Sequence, residues 1–415
     1  MKRNFDSFVK SFLEYNEHLG VSRKFVLWSA ISGIAGCLER KAWVVYNGTQ
    51  IIYPNLFIML IADSGIANKS TASRPIMDLL YQVPGLSFMS TQMSGASLIK
   101  QMSKAGEANI FQYDNVSYKN SSLFSYSSEA KVTIGDAKGM SGVQELLTDF
   151  YDCGDPNTWS NKKGWNKETL SGGSITVWNP CLNLLYCSTP AWLLEALGKN
   201  GIAGGFASRV LFVNEKERFR GNQGWIEDEQ EGHDSKLREK LVEDLTQISK
   251  FKGRFKTAFG FGETYNQLLE KRNAKLDADP KGDMAAYYSR KMWHLLKLSQ
   301  VFSANESNAM IITPDHLLMA NEALESLEAD MYDPFLIRGD NKNLSSMNYV
   351  WEVMRRKKNW TLKELQASCF KHASITQLHE HLRTFLAMEV IKTIPAADNK
   401  MYYQVTNPAP LSATK

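Results

Sequence analysis

The chain has 415 residues, of which 43% are hydrophobic and 22% are charged, so it can bury a sizeable core and divide into two or more domains. Its formal net charge of +4 is too small for a general nucleic-acid binder, and any basic patch must be local. Five cysteines without a close-spaced framework favour a reducing cytoplasm, and the longest apolar run, residues 56–62, is too short to cross a membrane. We therefore expect a cytoplasmic protein without a membrane segment.

The first part of the chain is predicted to be helical and the next part to be an α/β domain. Residues 1–50 carry apolar residues three and four positions apart, which is typical of amphipathic helices. Residues 51–215 contain short apolar runs separated by polar or helical stretches, which indicates strands buried on both faces of a sheet. These runs are LFIMLIA, SLFSYSS, LNLLYCS and RVLFVN.

A linker and a second helical region follow. Residues 214–235 lack apolar periodicity and are predicted to form a surface linker. Residues 236–335 return to long amphipathic patterns, among them TPDHLLMANEALESLEADM, which opens with a Thr-Pro helix start. We interpret this region as a helical lid over the α/β domain.

The C-terminal part, residues 341–406, is predicted to be a winged helix. The pairs Thr361–Glu364 and Ser374–Gln377 have the spacing of capping boxes, each opening a short helix after the helix SMNYVWEVMRRKK. The segment VIKTIPAADNKMYYQV then has the alternation and turn of a β-hairpin.

This C-terminal part also carries the local basic patch. Residues 341–415 contain eleven Lys and Arg against five Asp and Glu. We expect the helix after Ser374, which carries Arg383, to enter a DNA groove, with Lys392 and Lys400 of the wing near phosphates. A winged helix that docks a protein is the alternative.

The stretch NLFIMLIADSGIANKSTASRPIMDLL, residues 55–80, has the pattern of a strand, a loop and a helix. Such a turn directs backbone N–H groups and the positive helix end toward an anion. Compared with the phosphate-binding loop G-x-x-x-x-G-K-[ST], Lys69 would reach the β- and γ-phosphates of ATP and Ser70 would hold Mg²⁺. Asp63 and Asn68 stand where the two glycines are expected. An ordinary strand-to-helix turn with a surface lysine is the alternative.

The rest of this loop and three later elements complete the candidate site. Ser64, Gly65, Asn68 and Thr71 are the other loop residues expected to contact nucleotide. Glu129 follows the run SLFSYSS and is a candidate catalytic base and metal ligand, with Ser128 in place of the usual Asp. Thr189 ends LNLLYCST, where a polar side chain would contact the γ-phosphate. Arg209, which follows a glycine-rich loop and directly precedes the strand pattern VLFV, is a candidate arginine finger for a neighbouring subunit. A helix-start acid and a structural arginine are the alternatives for Glu129 and Arg209.

In their order along the chain, these motifs resemble those of a family of phage, prophage and plasmid P-loop ATPases. The family was long labelled a domain of unknown function, and its members are often found beside primase modules as primase–helicase proteins. The matching segments lie at residues 53–71, 127–131, 146–155, 179–193 and 204–220.

The resemblance implies a P-loop NTPase core of the AAA+ or RecA-like type, similar also to superfamily 3 helicases, that binds ATP and Mg²⁺. It further implies a homo-oligomeric ring, such as a hexamer, that acts on DNA in the cytoplasm of a bacterial host, with priming on a separate chain. Arg290 in YYSRKMWHLLKLSQ resembles the lid arginine that senses nucleotide in AAA+ proteins.

Three functions are open at this stage. The first is an ATP-dependent DNA helicase or translocase in the replication of a phage or other mobile element. The second is a replication initiator that binds nucleotide as an assembly switch with little turnover. The third is a catalytically degenerate scaffold that binds other replication proteins.

Overall fold

The computed structural model describes residues 3–90, 94–135, 140–153, 164–169, 173–197, 205–219, 231–336, 344–395 and 401–406. The chain divides into two compact units, Met1–Phe335 and Leu336–Lys415, each with its own hydrophobic core. The three predicted regions before residue 336 fall in the first unit, and the predicted C-terminal domain falls in the second.

The helices and strands are numbered here in chain order. The helices are α1 Phe8–Tyr15, α2 Arg23–Leu38, α3 Lys69–Leu80, α4 Gly95–Ala108, α5 Ala130–Ile134, α6 Met140–Tyr151, α7 Pro190–Leu197, α8 Glu231–Ile248, α9 Phe261–Ala278, α10 Ala285–Glu306, α11 Pro314–Glu328, α12 Asp333–Leu336, α13 Leu344–Met354, α14 Leu362–Cys369 and α15 Ile375–Ala387. The strands are β1 Ala42–Tyr46, β2 Gln50–Ile52, β3 Phe57–Ile61, β4 Ile110–Tyr113, β5 Val116–Lys119, β6 Ser122–Ser127, β7 Trp165–Thr169, β8 Gly173–Val177, β9 Cys181–Ser188, β10 Val210–Asn214, β11 Gly253–Arg254, β12 Lys256–Thr257, β13 Ile311–Ile312, β14 Asn359–Thr361, β15 Ile391–Pro395 and β16 Met401–Val405.

The first unit is built on a parallel sheet with the strand order β10-β3-β9-β6. Its four strands are those predicted from the four apolar runs, and all residues of β3, β9 and β10 are buried. Parallel strands need crossover connections, and the helices of these connections cover the sheet. The mixed α/β class with a parallel sheet is therefore confirmed.

The sheet has two chemically different edges. Because its strands are parallel, β3, β9, β6 and β10 all end at the same edge, called here the carboxyl edge. The first residues of β3 and β10, Phe57 and Val210, pair with each other at the opposite edge, called here the amino edge. The two ends of β3 are about 13 Å apart, from four residue steps of about 3.3 Å.

Two long helices anchor this sheet. Helix α2 is capped by Ser22, whose side chain accepts from the Phe25 N–H, and it is buried on nearly all sides. A helix that is apolar all round belongs in a core, and α2 packs against β3, β9, β10 and α3. Helix α10 is buried over most of its length and packs against α2, α9 and α11. The region predicted to be a lid therefore contributes to the core of the first unit.

The second unit contains α13, α14 and α15 and an antiparallel sheet with the order β14-β16-β15. Both predicted capping boxes are formed, by Thr361 with Glu364 and by Ser374 with Gln377. The core of this unit includes Trp351 and is lined by α13, α14, α15 and β15. Residues 396–400, between β15 and β16 and including Lys400, lie outside the described residues.

Within the ranges described, no helix is long and apolar enough to cross a membrane.

Candidate functional site

A cavity of about 340 Å³ lies at the carboxyl edge of the parallel sheet. It is surrounded by the loop after β3, the start of α5 after β6, and the end of β9 with the start of α7. Its lining residues are Ser64, Gly65, Asn68, Lys69, Ser70, Ser128, Glu129, Ala130, Lys131, Cys187, Ser188, Thr189 and Trp192. The volume is in the range of small-molecule sites. The structure thus brings together the predicted phosphate loop, the predicted base and Thr189.

At Asn68, where the phosphate-loop pattern has its second glycine, the loop backbone has a conformation that favours glycine. Asn68 has φ 46° and ψ 48°, in the left-handed region that favours glycine and that asparagine tolerates best among other residues. Its side-chain amide donates to the Phe219 carbonyl at 3.3 Å, and the Phe219 N–H donates to the Ile66 carbonyl at 2.9 Å. The segment after β10 is therefore hydrogen-bonded to the loop through Phe219. Asparagine at this position changes the side chain without changing the backbone.

Two other loop residues, Asp63 and Thr71, lie away from the cavity. Asp63 stands at the first glycine position, but its side chain is exposed and does not line the cavity. Thr71, predicted to contact nucleotide, is also exposed and absent from the lining, because it lies on the outer side of the first turn of α3. The contact of Thr71 with nucleotide therefore stays a prediction, and Asp63 is absent from the cavity lining.

Lys69 is the first residue of α3, and its ammonium folds back on the loop. It donates to the Ala62 carbonyl at 2.7 Å and to the Asp63 carbonyl at 3.4 Å. Burial lowers the pKa of Lys69, while Cys187, Asp63 and Glu129 act in the opposite direction. A lysine held only by neutral carbonyls can exchange them for a stronger, charged acceptor.

A small polar network connects Lys69 and Cys187, which are two residues of the cavity lining. The Ser73 hydroxyl donates to the Lys69 carbonyl at 2.9 Å and lies 3.1 Å from the Tyr126 hydroxyl and 3.6 Å from the Cys187 sulfur. Burial raises the pKa of the Cys187 thiol to about 11, so it remains protonated at neutral pH. This network ties the first turns of α3 to β6 and β9, which fixes Lys69 relative to the sheet.

Glu129 lies across the cavity from the loop. It precedes α5, is exposed, and its side chain makes no capping hydrogen bond to that helix. Its carbonyl accepts from the Ser127 hydroxyl at 2.7 Å, which fixes the backbone at the end of β6. Because β9 separates β3 from β6, the loop and Glu129 are two strand spacings apart, about 10 Å. That distance leaves room for a phosphoryl group and a water molecule between them.

Thr189 follows β9, between these two walls. Its hydroxyl accepts from the Trp192 backbone N–H at 3.4 Å, which caps the first turn of α7. The positive amino ends of α3 and α7 both meet the cavity. Three residues of the lining were not predicted from the sequence, namely Trp192, Lys131 and Cys187, although the segment TPAW directly follows β9.

Arg209 and Arg290 lie at the other edge of the sheet. Arg209 directly precedes β10, at the amino edge, and forms an ion pair with Asp152. Arg290, on α10, places Nη1 3.3 Å from the other Asp152 carboxylate oxygen. Neither arginine lines the loop cavity. Arg290, which resembles the nucleotide-sensing lid arginine, lies with Arg209 at the amino edge, and its contact with nucleotide stays a prediction.

The position of Arg209 is fixed from several sides. Its Nη1 also donates to the Gly205 carbonyl at 2.6 Å, and its guanidinium lies 5.9 Å from the centre of the Tyr151 ring. His294 of α10 makes hydrogen bonds with the Tyr151 hydroxyl at 3.1 Å and the Ser208 carbonyl at 3.0 Å. Burial lowers the pKa of His294 to about 3, so the ring is neutral. Helix α10 therefore holds the turn that carries Arg209.

The candidate DNA contacts lie in the second unit. Arg383 is exposed on α15, and Lys392 is exposed on β15. Lys400 was predicted to contact phosphates and lies outside the described residues.

Comparison with known proteins gave structural similarity at low sequence identity and no match by sequence. No family model and no curated protein matches the chain. Among solved structures, the chain is similar to a full-length MCM homolog from Methanopyrus kandleri, with a TM-score of 0.37 and 10% sequence identity. The alignment covers 78% of this chain and 61% of that one, so this chain spans less than two thirds of its length. The resemblance to phage P-loop ATPases therefore remains an interpretation of the residues themselves.

Proposed function

We propose that this protein is a P-loop ATPase of the AAA+ type that works as a ring-shaped DNA helicase or translocase in replication of a phage or other mobile element. The observation that carries the proposal is the single cavity in which the phosphate loop, Glu129 and Thr189 meet. The placement of Arg209 at the opposite edge supports the ring, since this arginine would act on a neighbour's nucleotide.

The loop and α3 would bind the phosphates of ATP. The backbone N–H groups at the start of α3 and its positive end face the cavity, as in other anion sites at helix starts. Lys69 would leave the carbonyls of Ala62 and Asp63 for the β- and γ-phosphate oxygens. Backbone donors do not depend on side-chain identity, so the departures at residues 63 and 68 leave this part of the chemistry in place.

The cavity residues fit a magnesium ion bound together with ATP. The Ser70 hydroxyl and the Glu129 carboxylate line the same cavity, and Mg²⁺ binds oxygen ligands, commonly one or two from protein with phosphates and waters. When bound, the ion would neutralise charge on the phosphates during transfer.

Glu129 would accept the proton of the attacking water. The water oxygen bonds to the terminal phosphorus, the bond from that phosphorus to the bridging oxygen breaks, and ADP leaves with the electron pair of that bond. Placing water between a phosphate and a fixed carboxylate is the main protein contribution in such reactions. The spacing of about 10 Å between the β3 and β6 walls supports this role for Glu129.

The two sheet edges suit a head-to-tail ring. A ring repeats a contact between two different surfaces of identical subunits. Here the carboxyl edge of one subunit would face the amino edge of the next, so that Arg209, with Arg290 beside it, approaches the terminal phosphate. An arginine supplied in this way stabilises the charge of the transferred group.

The second unit would be a winged-helix domain that contacts DNA. Its three helices and three-stranded antiparallel sheet have the order that the winged-helix prediction requires. Helix α15 would lie in the groove, with Arg383 on it, while Lys392 of β15 and Lys400 would contact the backbone. Phosphate contacts of this type predict binding that weakens steeply as salt increases.

Mixing two inactive variants tests the shared site. Lys69→Ala and Arg209→Ala should each lose ATP hydrolysis, while an equimolar mixture should regain part of it, because some interfaces then pair an intact loop with an intact arginine. Arg254→Ala, an exposed arginine on β11, is the matched control and should hydrolyse ATP like the wild type. A mixture that stays inactive although both variants assemble would contradict the shared site.

A nucleotide-switched replication initiator is the second candidate. One observation favours it: Ser128 lines the cavity at the position of the usual aspartate, so Glu129 is the one carboxylate among the residues described in the cavity lining. Such a protein would form oligomers on binding ATP and release little ADP. Sedimentation with and without Mg·ATP, beside a turnover assay, separates the two functions.

A further inference from the structure

Asp152 connects the two arginines at the amino edge of the sheet. One oxygen of its carboxylate accepts a hydrogen bond from Arg209, and the other accepts one from Nη1 of Arg290 at 3.3 Å. Asp152 directly follows α6, whereas Arg209 precedes β10 and Arg290 lies on α10. One side chain therefore joins three separate elements of the first unit, and the chemistry described above gives it no role.

The two arginines differ in how firmly they are held. The side chain of Arg209 is 9% exposed, and its guanidinium also donates to the Gly205 carbonyl and lies over the Tyr151 ring. The side chain of Arg290 is 28% exposed, and among the described residues Asp152 is the acceptor of its hydrogen bond. Arg290 and Asp152 both line a cavity of about 430 Å³. Arg290 therefore borders open space, and its position depends on Asp152.

The Asp152 carboxylate has two physical effects on this arrangement. Two guanidinium groups repel each other, and a negative charge between them offsets that repulsion. An ion pair also fixes the direction of a planar guanidinium, whereas a long arginine side chain otherwise moves among many rotamers. Because Arg209 is already held by the Gly205 carbonyl, its ion pair fixes Asp152, and Asp152 in turn fixes Arg290.

We infer that Asp152 is a positioning residue, which holds Arg209 and Arg290 together at the amino edge so that they act on the nucleotide of a neighbouring subunit. This inference rests on the proposed function, because a ring with shared sites is what brings this edge to a nucleotide. Asp152 acts through the two arginines and does not touch the nucleotide itself, since a carboxylate repels phosphates. Its loss should lower the rate of hydrolysis and leave the binding of ATP to the loop cavity unchanged.

Turnover of Mg·ATP and nucleotide binding by Asp152→Asn test the inference. The amide has nearly the shape of the carboxylate but carries no charge. We expect kcat to fall about hundredfold, since a small displacement of a positioned group can cost that much. The Kd for a non-hydrolysable ATP analogue should stay within about twofold of the wild-type value, because the loop is intact. Asp149→Asn, at an exposed acid on α6, is the matched control and should hydrolyse ATP like the wild type.

Mixing experiments show which edge of the sheet Asp152 serves. Asp152→Asn mixed with Lys69→Ala should regain hydrolysis, because some interfaces then pair an intact arginine edge with an intact loop. Asp152→Asn mixed with Arg209→Ala should gain nothing, because every interface then takes its arginines from a damaged subunit. A residue that merely stabilises the fold would not give this pattern.

The other outcomes overturn the inference. A kcat like that of the wild type, or an equal fall in kcat and in nucleotide affinity, would mean that Asp152 does not act through the arginines. Recovery with Arg209→Ala but not with Lys69→Ala would place its effect at the loop cavity of its own subunit. If Asp152→Asn does not fold, Asp152→Ser replaces it in the same assays, and failure of both to fold would mean that the residue only stabilises the fold.

A separate result distinguishes failure of the proposed function. If Lys69→Ala and Arg209→Ala assemble but do not restore hydrolysis when mixed with each other, the shared site itself is wrong, and the inference is overturned with it. If these two variants complement each other and Asp152→Asn does not complement Lys69→Ala, the shared site stands and the role of Asp152 is wrong.

Discussion

Replacing Asn68 by alanine and by glycine separates the backbone role of this residue from its side-chain role. At φ 46° and ψ 48° the residue is left-handed, and its amide donates to the Phe219 carbonyl at 3.3 Å. Both variants lose this hydrogen bond, which is worth about 1 kcal/mol. Only alanine must also hold a conformation that costs L-residues roughly 1–2 kcal/mol, and that glycine adopts freely.

The two roles are distinguished by which of the two variants has the higher free energy of unfolding. A glycine variant is usually about 0.5–1 kcal/mol less stable than the matching alanine variant, because glycine gives the unfolded chain more conformational freedom. At residue 68 the left-handed backbone should reverse this order, so that Asn68→Ala is about 2 kcal/mol and Asn68→Gly about 1 kcal/mol less stable than the wild type. We expect the same order in nucleotide affinity, because the loop backbone holds the donors.

Chemical denaturation of the purified variants, with a parallel binding titration, measures both quantities. Asn273, exposed on the right-handed helix α9, provides a control in which the order should be opposite, with alanine about 1 kcal/mol more stable than glycine. If Asn68→Ala is as stable as Asn68→Gly or more stable, the left-handed conformation assigned to Asn68 is wrong. The explanation of why asparagine can replace glycine at this position would then be wrong as well.

Three further changes test other parts of the structure. Burial lowers the pKa of His294 to about 3, so this ring is protonated below about pH 6.5 in the unfolded chain but stays neutral in the folded chain. The free energy of unfolding should therefore fall by about 2 kcal/mol from pH 7.5 to pH 5. Denaturation at several pH values should give a flatter profile for His294→Gln, and an unchanged slope would contradict a neutral buried ring. In Gly36→Ala the new Cβ would lie 2.4 Å from Cδ2 of the buried Phe124 ring, so we expect a loss of about 1–3 kcal/mol. Gly262→Ala, with open space around it on α9, should be neutral or more stable in the same thermal assay, and equal effects would refute the close contact. Phe385→Ala removes a fully buried ring from the core of the second unit and should cost about 3–5 kcal/mol, enough to unfold a unit of this size. Limited proteolysis should then cut the second unit first, and a resistant second unit would contradict this core assignment.

The elements that the sequence predicts well are those set by local chemistry. Buried parallel strands have continuous apolar runs, and all four predicted runs form the central sheet. Capping boxes need residues three positions apart, so Thr361 and Ser374 could be identified before any fold was known. The helix start at Lys69 was predictable for the same reason, since the loop and the helix are consecutive in the chain.

Features that depend on distant parts of the chain could not be predicted. Arg290 shares Asp152 with Arg209 because α10 packs at the amino edge, and no local pattern reveals that edge. The position of β9 between the loop strand and the Glu129 strand, which sets the width of the cavity, is likewise a matter of strand order. The unpaired indole of Trp192 becomes visible only when its surroundings are known.

The central claim is that one cavity binds and hydrolyses ATP, and Mg·ATP turnover with and without single-stranded DNA tests it most directly. The assay compares the wild type with Lys69→Ala and Glu129→Gln, each checked for folding and for nucleotide binding. We predict hydrolysis that DNA stimulates and that both variants lose, with Glu129→Gln still binding ATP. Turnover that survives in Glu129→Gln, or a folded wild-type protein that does not hydrolyse ATP, would contradict it.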